Sequence, residues 1–475
     1  MDELQRQFPG PGWGRYRRWL TVGLALLGLA LLALVFPWPA NHEGRTVRQW
    51  LETAAVGDYR ERQAAEAAFR ALGTRAVPDL IAALQARDTR WTDARAWLAR
   101  RVLKRQETRL PADETRALAA AALGELGSSA APAARALVKA LGDDQPPVVA
   151  NSAHALRRIG SGALPAILAG LSASSPPIRC ESALLLGGPP FNTEARRWVE
   201  AMEKATRDPE SRVRAAAVSA LAQTRDPRWG RVIESALADP DFSVRYAAAW
   251  ALGEYGSDTA EPAAALRRAL GDPHPRVRIV AARALWRLTG DTNESLAVLE
   301  REVLAPNPDY TAALVLRELG PAAAATAPSL LRRLEQETVH RPSRTPSPAA
   351  LALGQLGPTA VPGLIERLEH PRPEVRVGAA FALRNQGTNA AAAVPKLVEL
   401  VDHPDAEVRI TAVEALGAIG AAARPALPRL RQLAAETGDY LRAAAVNAVE
   451  QIEAASSPTA VPRGPDACDH SPAPP

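Results

Sequence analysis

Apolar residues recur along most of the chain at the spacing of an α-helix. In one representative segment they are Val213, Ala216, Ala217, Ala220 and Leu221, at positions i, i+3, i+4, i+7 and i+8, which places them on one face of a helix. A second short segment with the same spacing follows after a glycine or a polar turn. No segment of useful length alternates apolar and polar residues. The pattern therefore predicts an all-α protein in which strands are not expected.

The two-helix pattern repeats with a period of about 33 residues. The apolar residue that closes the first helix of each unit marks the register: Leu72, Leu123, Leu156, Leu186, Leu221, Leu252, Leu285, Leu316, Leu353, Leu383, Leu416 and Val449. Two longer intervals indicate insertions near 87–112 and 338–348. A fixed period of this length is typical of stacked units that cannot bury their apolar faces alone. We therefore predict a right-handed α-solenoid of about twelve helical hairpins over residues 60–452.

A basic residue also keeps a fixed place in the repeat. Seven residues before the marker, most units carry an arginine: Arg116, Arg179, Arg214, Arg245, Arg278, Arg376, Arg409 and Arg442. Six residues before that arginine, three units carry an aspartate followed by proline: Asp208, Asp239 and Asp272. His370 and His403 occupy the same place in two others. A short acceptor ahead of a proline suits a helix entrance.

Stacking would bring each arginine near the turn acid of its own repeat or of a neighbouring one. We interpret the series as a structural ladder of ion pairs. The alternative is a row of arginines that binds an anionic ligand.

The repeats resemble HEAT repeats of the short, alanine-rich type that is also seen in the phycobilisome lyase family. The segment Arg45–Glu52 (RTVRQWLE) and the following RALGTRAVPDLI resemble membrane-tethered bacterial HEAT-repeat proteins of unassigned role. The resemblance implies the solenoid fold. It leaves the activity open, because such repeats serve scaffolds, adaptors and a few enzymes alike.

The amino-terminal segment predicts a membrane anchor. Residues 20–36 carry no charge and would span about 26 Å as a helix, close to the thickness of a hydrocarbon core. Arginines outnumber acidic residues in residues 1–19, which favours a cytoplasmic location for this tail. We expect a single-pass protein of the bacterial cytoplasmic (inner) membrane, its amino terminus inside and its solenoid outside. A cleaved signal peptide is the alternative.

Two further segments flank the predicted solenoid. Residues 37–59 are expected to form a juxtamembrane linker and capping segment. Residues 453–475 are rich in proline and are expected to be a disordered tail.

The charge distribution and the absence of known motifs argue against several classes of function. The formal net charge is +5, but the predicted second helices alternate acidic and basic residues, so no basic stripe for nucleic acid is expected. The two cysteines do not make a disulfide framework. Only His42-Glu43 has the order His-Glu that a repeated metal-ligand pair would need, and nucleophile, phosphate-loop and zinc motifs are absent. We predict no enzymatic activity, no metal and no cofactor.

The predicted function is a protein-interaction scaffold or adaptor tethered to the membrane. The alternative is a lyase-like or accessory factor that acts on a prosthetic group or substrate held in the concave groove. Candidate partner-binding residues are aromatic or basic, in keeping with residues that dominate interface energetics. They are Trp91 and Trp97 in the first insertion, Trp198 and Trp229 in second-helix segments, and the pairs Arg267, Arg268, Arg332 and Arg333.

Overall fold

A computed structural model describes residues 41–87, 110–191, 197–255, 261–306, 310–336, 347–435 and 439–456. The predicted membrane segment 20–36, the tryptophans Trp91 and Trp97, and the tail from residue 457 onward lie outside the described residues. The chain divides into two compact units, Met1–Thr224 and Arg225–Pro475.

A short β-hairpin opens the described chain, and here the expectation of no strands was wrong. The strands β1 (Asn41–His42) and β2 (Arg45–Thr46) pair antiparallel. Both turn residues have positive φ, 50° at Glu43 and 75° at Gly44, the geometry whose twist matches that of the paired strands. Strands of two residues are too short to produce a visible alternation of apolar and polar residues.

The first unit is built from helices joined by tight turns. Its described α-helices are α1 Val47–Val56, α2 Tyr59–Leu72, α3 Val77–Leu84, α4 Ala112–Glu125, α5 Ala134–Ala140, α6 Pro146–Ile159, α7 Leu164–Gly170, α8 Pro176–Gly187, α9 Val199–Ala205 and α10 Ser211–Gln223. Helix α1 lies in the segment expected to be a linker and cap. Its Trp50 and Leu51 are buried, and Trp50 Nε1 donates a hydrogen bond of 3.3 Å to His42 O in the hairpin.

The second unit continues the same alternation of longer and shorter helices. Its described α-helices are α11 Gly230–Ser235, α12 Phe242–Tyr255, α13 Glu261–Ala269, α14 Pro275–Thr289, α15 Asn293–Leu304, α16 Tyr310–Leu319, α17 Ala327–Gln336, α18 Pro348–Leu353, α19 Val361–Arg367, α20 Pro373–Gln386, α21 Val394–Leu400, α22 Ala406–Ile419, α23 Leu427–Ala435 and α24 Asp439–Ser456. Helix α24 extends four residues past the predicted end of the repeats at residue 452.

The sequence explains how the first helix of a repeat ends and how the second helix begins. Helix α6 ends at Gly160, whose φ of 71° lies in a region that side chains disfavour. A 3-10 turn of residues 160–163 follows, and Pro165 stands in the first turn of α7, where its missing N–H costs nothing. The same sequence of events recurs at Gly387 (φ 56°) and Gly420 (φ 74°). The predicted all-α fold of stacked helical hairpins is confirmed.

First helices of consecutive repeats approach closely where glycine meets alanine. A Cβ placed on Gly187 of α8 would lie 2.6 Å from Ala220 Cα of α10. In the second unit, a Cβ on Gly253 of α12 would lie 2.7 Å from Ala284 Cβ. Both glycines directly follow a marker leucine. The small residues therefore set the separation of neighbouring first helices.

One helical segment of the described chain, Ala406–Ala435, is long and apolar enough to cross a membrane by length and composition. Its most apolar window is 56% buried, and the segment comprises the hairpin of α22 and α23. Core helices of soluble proteins pass the same test, so the finding is weak evidence for a membrane span.

Candidate functional site: the arginine ladder and the second-helix face

Arg245 joins two consecutive repeats through a single guanidinium. Its Nε and Nη2 donate to the two carboxylate oxygens of Asp272, at 2.6 and 3.0 Å. Its Nη1 donates to Asp239 O at 2.9 Å and to Pro240 O at 3.0 Å. One side chain therefore closes the turn of its own repeat and binds the turn acid of the next, in the bidentate geometry that suits arginine and carboxylate.

The same contact recurs in the first unit. Arg116 binds Asp143 at 2.8 and 3.0 Å, and Arg179 binds Asp208 at 2.8 and 2.9 Å. Arg179 Nη1 also donates to Ala173 O at 3.0 Å. Asp143 was not among the acids singled out in the sequence, because an aspartate rather than a proline follows it.

We call each arginine of the ladder, together with the acid that it binds in the next repeat, a step. One step uses a different acid. Arg278 binds Glu302 at 2.7 and 2.8 Å, while its Nη1 donates to Asp272 O at 2.7 Å. Glu302 lies on α15 and is buried. A glutamate on a helix thus replaces the turn aspartate here. The search for an aspartate six residues before the next arginine could not have identified it.

Other members of the series make part of this arrangement. Arg214 donates to Asp208 O at 2.9 Å, and Arg409 donates to His403 O at 2.7 Å. Asp239 accepts a hydrogen bond of 2.9 Å from the N–H of Asp241. Arg442 is exposed on the last helix, α24. Arg376 departs from the arrangement, as described below.

The ladder also shows a paired substitution. Where the arginine position holds Val149, the acid position of the next turn holds Ala173. Both partners are thus missing at the same step. A lone buried carboxylate or guanidinium would be costly, which explains why the two are absent together.

Hydrogen bonds hold Asp272 and Asp208 in their charged form. Burial alone would raise the pKa of Asp272, but hydrogen bonds from Arg245 and from the N–H of His274 outweigh it, so the pKa lies below its usual value. The pKa of Asp208 is lowered in the same way, with Arg179 as the main donor against the effect of burial. The hydrogen bond with Asp272 in turn raises the pKa of Arg245.

The second helices of the second unit present a different surface. We define the second-helix face as the exposed and half-buried side chains of α11, α13, α15, α17, α19, α21 and α23. Arg267 on α13 lies 2.8 Å from Glu294 on α15, and Arg268 lies 3.8 Å from Glu234 on α11. Charges of opposite sign therefore face each other between neighbouring repeats.

The same alternation continues along this face. Arg367 on α19 lies 2.8 Å from Glu335 on α17, and Lys396 on α21 lies 2.8 Å from Glu369. On α17, Arg332 is exposed with its Nη2 3.3 Å from Ser329 Oγ, while the neighbouring Arg333 is half-buried. The Arg267–Glu294 pair is exposed on both sides and contributes little to stability, whereas Arg367 and Lys396 are half-buried. The pairs leave a surface of mixed charge rather than a basic stripe.

Two predicted partner-binding residues are corrected by their burial. Trp198 is fully buried, and its Nε1 donates to Phe191 O at 3.0 Å. Trp229 is 6% exposed. Both indoles belong to the core, each at the residue before a short second helix, and neither is available to a partner. Sequence position alone could not distinguish the two faces of so short a helix.

No group of three or more His, Cys, Asp or Glu side chains in the described residues is placed to hold a metal ion. A cleft of about 370 Å³ in the first unit is lined mainly by apolar atoms, with Glu52 and Asp79 among its residues. Cys180 is half-buried, and burial raises the pKa of its thiol to about 11.

Comparison with protein families supports the repeat assignment. A family model described as HEAT repeats matches residues 230–320 and 361–450. A model described as PBS lyase HEAT-like repeat matches residues 213–239. No curated protein matches the sequence.

Solved structures show a similar fold at low sequence identity. A crystal structure of importin beta superposes with a TM-score of 0.50 and 15% identity, covering 86% of this chain and 55% of that one. Kap95p in complex with RanGDP and Kap121p bound to Pho4p each give a TM-score of 0.46 and 15% identity, covering 86% of this chain. They are matched over 55% and 50% of their own lengths. The chain thus spans about half the length of these proteins, and the likeness to importin beta concerns the fold.

The periodic hairpins, the arginine steps between them and the two family matches agree with one another. The chain is a HEAT-repeat protein.

Proposed function

We propose that this chain is a non-enzymatic scaffold or adaptor that binds protein on the second-helix face. The observation that carries the proposal is the pairing of opposite charges between neighbouring second helices, as in Arg267–Glu294 and Arg367–Glu335. A face of alternating charge is complementary to a folded protein surface or an irregular peptide, because such partners present both signs. Uniformly charged polymers would meet as many acids as bases there.

The contacts of the ladder arginines also support the second-helix face as the binding surface. Arg116, Arg179 and Arg245 use their carboxylate-binding nitrogens on acids of the next repeat. Their guanidinium groups are therefore occupied within the stack. The exposed pairs of the second-helix face, by contrast, can exchange partners at small cost.

Photo-crosslinking in intact cells tests this proposal. A photo-reactive residue is placed in the full chain at Arg268 or at Arg332, both on the second-helix face. The matched control places it at Tyr246, which is 37% exposed on the first helix α12. We expect a discrete adduct of the same mass at the two face positions and none at the control. Equal adducts at all three positions, or none at any, would refute a specific binding face.

We further propose that residues 20–36 tether the scaffold to the cytoplasmic membrane, with the repeats outside the cytoplasm. The support lies in the sequence: an uncharged apolar segment preceded by Arg6, Arg15, Arg17 and Arg18. Positive residues next to a span are retained in the cytoplasm. Partners would then be other envelope proteins.

A further inference from the structure

One step of the ladder has an arginine but no acid opposite it. Asp272 follows Arg245 by 27 residues, and Asp143 follows Arg116 by the same interval. At that interval after Arg376 stands His403. Histidine cannot offer the two oxygens that the guanidinium binds elsewhere.

Arg376 is correspondingly left with an unused donor. Its Nε is buried and meets no acceptor among the described residues. In the equivalent position, Arg245 Nε donates to Asp272 at 2.6 Å. A buried donor without an acceptor costs free energy, so an acceptor supplied from outside would be bound favourably.

His403, at the position of the turn acid, provides a second donor. Its Nδ1 accepts a hydrogen bond of 3.0 Å from the N–H of Asp405. The proton of the neutral ring therefore resides on Nε2, which makes that nitrogen a donor. The turn thus offers N–H groups where the other turns offer oxygens.

The acids closest in sequence to His403 are engaged elsewhere. Asp402 binds Arg429 at 2.6 Å, and Asp405 accepts from the N–H groups of Glu407 and Val408 at the start of α22. On the other side of the step, Glu369 pairs with Lys396 at 2.8 Å. None of these carboxylates substitutes for the ladder acid.

We propose that the step between Arg376 and His403 is a binding site for one carboxylate or phosphate group, which accepts hydrogen bonds from Arg376 Nε and from His403 Nε2. The group is planar or tetrahedral, negatively charged and able to accept at least two hydrogen bonds. It comes either from a free oxyanion or from an acidic side chain of a protein partner. The inference does not depend on the proposed function, because binding of a free anion can be measured on the isolated full chain.

The variant His403→Asp provides the matched control, since it restores the carboxylate found at the other steps. Thermal unfolding of the full chain is followed in chloride and in phosphate of equal ionic strength. We expect about 20 mM phosphate to raise the Tm of the wild type by roughly 2 °C and to leave His403→Asp unchanged. Without phosphate, His403→Asp should unfold at a Tm roughly 2 °C above the wild type.

Two results would overturn the site. A phosphate effect of equal size in both proteins would indicate adventitious or general binding. A lower Tm of His403→Asp in chloride would show that position 403 does not face Arg376. The variant Arg376→Gln gives an independent check, because removal of the guanidinium should abolish the phosphate response while His403 is retained.

A second measurement assigns the source of the anion. A photo-reactive residue at Arg372, in the turn beside Arg376, should yield an adduct in cells if a partner carboxylate occupies the site, and His403→Asp should remove that adduct. A phosphate response with no such adduct assigns the site to a free oxyanion.

Discussion

At the residue scale, one guanidinium group makes hydrogen bonds to two consecutive repeats. Arg245 satisfies carbonyl groups of its own turn and a carboxylate of the next. The side chains of Arg245 and Asp272 are 12% and 6% exposed. Removal of either partner would leave the other buried and uncompensated, which is the costly way to break such a pair.

We predict that Arg245→Gln lowers the free energy of unfolding of the second unit by about 3 kcal/mol. The matched control is Arg268→Gln, whose arginine is 74% exposed and 3.8 Å from Glu234; it should change stability by less than about 0.5 kcal/mol. Urea unfolding followed by circular dichroism measures both. Equal effects of the two substitutions would contradict a structural role for the ladder.

The ladder also predicts a dependence on pH. The pKa of Asp272 lies below its usual value in the folded protein, since Arg245 and the N–H of His274 outweigh the effect of burial. Its contribution to stability is therefore complete above the unfolded pKa of about 3.9 and is lost as pH falls through the folded pKa. The stability difference between wild type and Asp272→Asn should be constant near neutral pH and shrink below about pH 4. A difference that does not change between pH 7 and pH 3 would contradict this assignment.

Some of these residues could be predicted from the sequence and others could not. The aspartate six residues before the next arginine is visible in the repeat register, and Asp208 at that position lies 2.8 Å from Arg179 in the structure. Glu302 and the burial of Trp198 are not visible, because each depends on how a second helix packs on its neighbours. The period specifies which residues share a helix face, whereas contacts between helices also depend on side-chain length and the turn between them.

At the element scale, glycine and alanine are the residues that meet where neighbouring first helices approach each other. Gly253 and Ala284 meet where α12 and α14 are closest. Alanine-rich first helices were evident from the sequence. The role of Gly253, directly after a marker leucine, was not evident, because a glycine inside a helix pattern looks like a defect until its neighbour is known.

We predict that Gly253→Val destabilises the second unit by about 2 kcal/mol or more, since the added side chain must displace α14. The control is Gly230→Ala, where a Cβ meets nothing within 4 Å and the change should be neutral or slightly stabilising. Differential scanning calorimetry compares the two. A Gly253→Val protein as stable as the wild type would show that α12 and α14 are not in close contact in solution.

At the scale of the whole molecule, the repeats determine the fold and leave the partner open. The family matches cover residues 213–320 and 361–450, and the described hairpins before residue 213 follow the same pattern of helices. A stack of this kind exposes one helix of every hairpin along its length, which suits binding of an extended partner. The specific partner depends on side chains that vary between repeats, so the repeat pattern cannot predict it.

The most direct test of a membrane-tethered scaffold outside the cytoplasm uses the two cysteines of the chain. Intact cells with a permeabilised outer envelope are treated with a membrane-impermeant maleimide. The account predicts that Cys468 is labelled without lysis, while Cys180, half-buried and with a pKa raised to about 11 by burial, reacts only after denaturation. Labelling of Cys468 only after lysis would contradict the account and place the repeats in the cytoplasm.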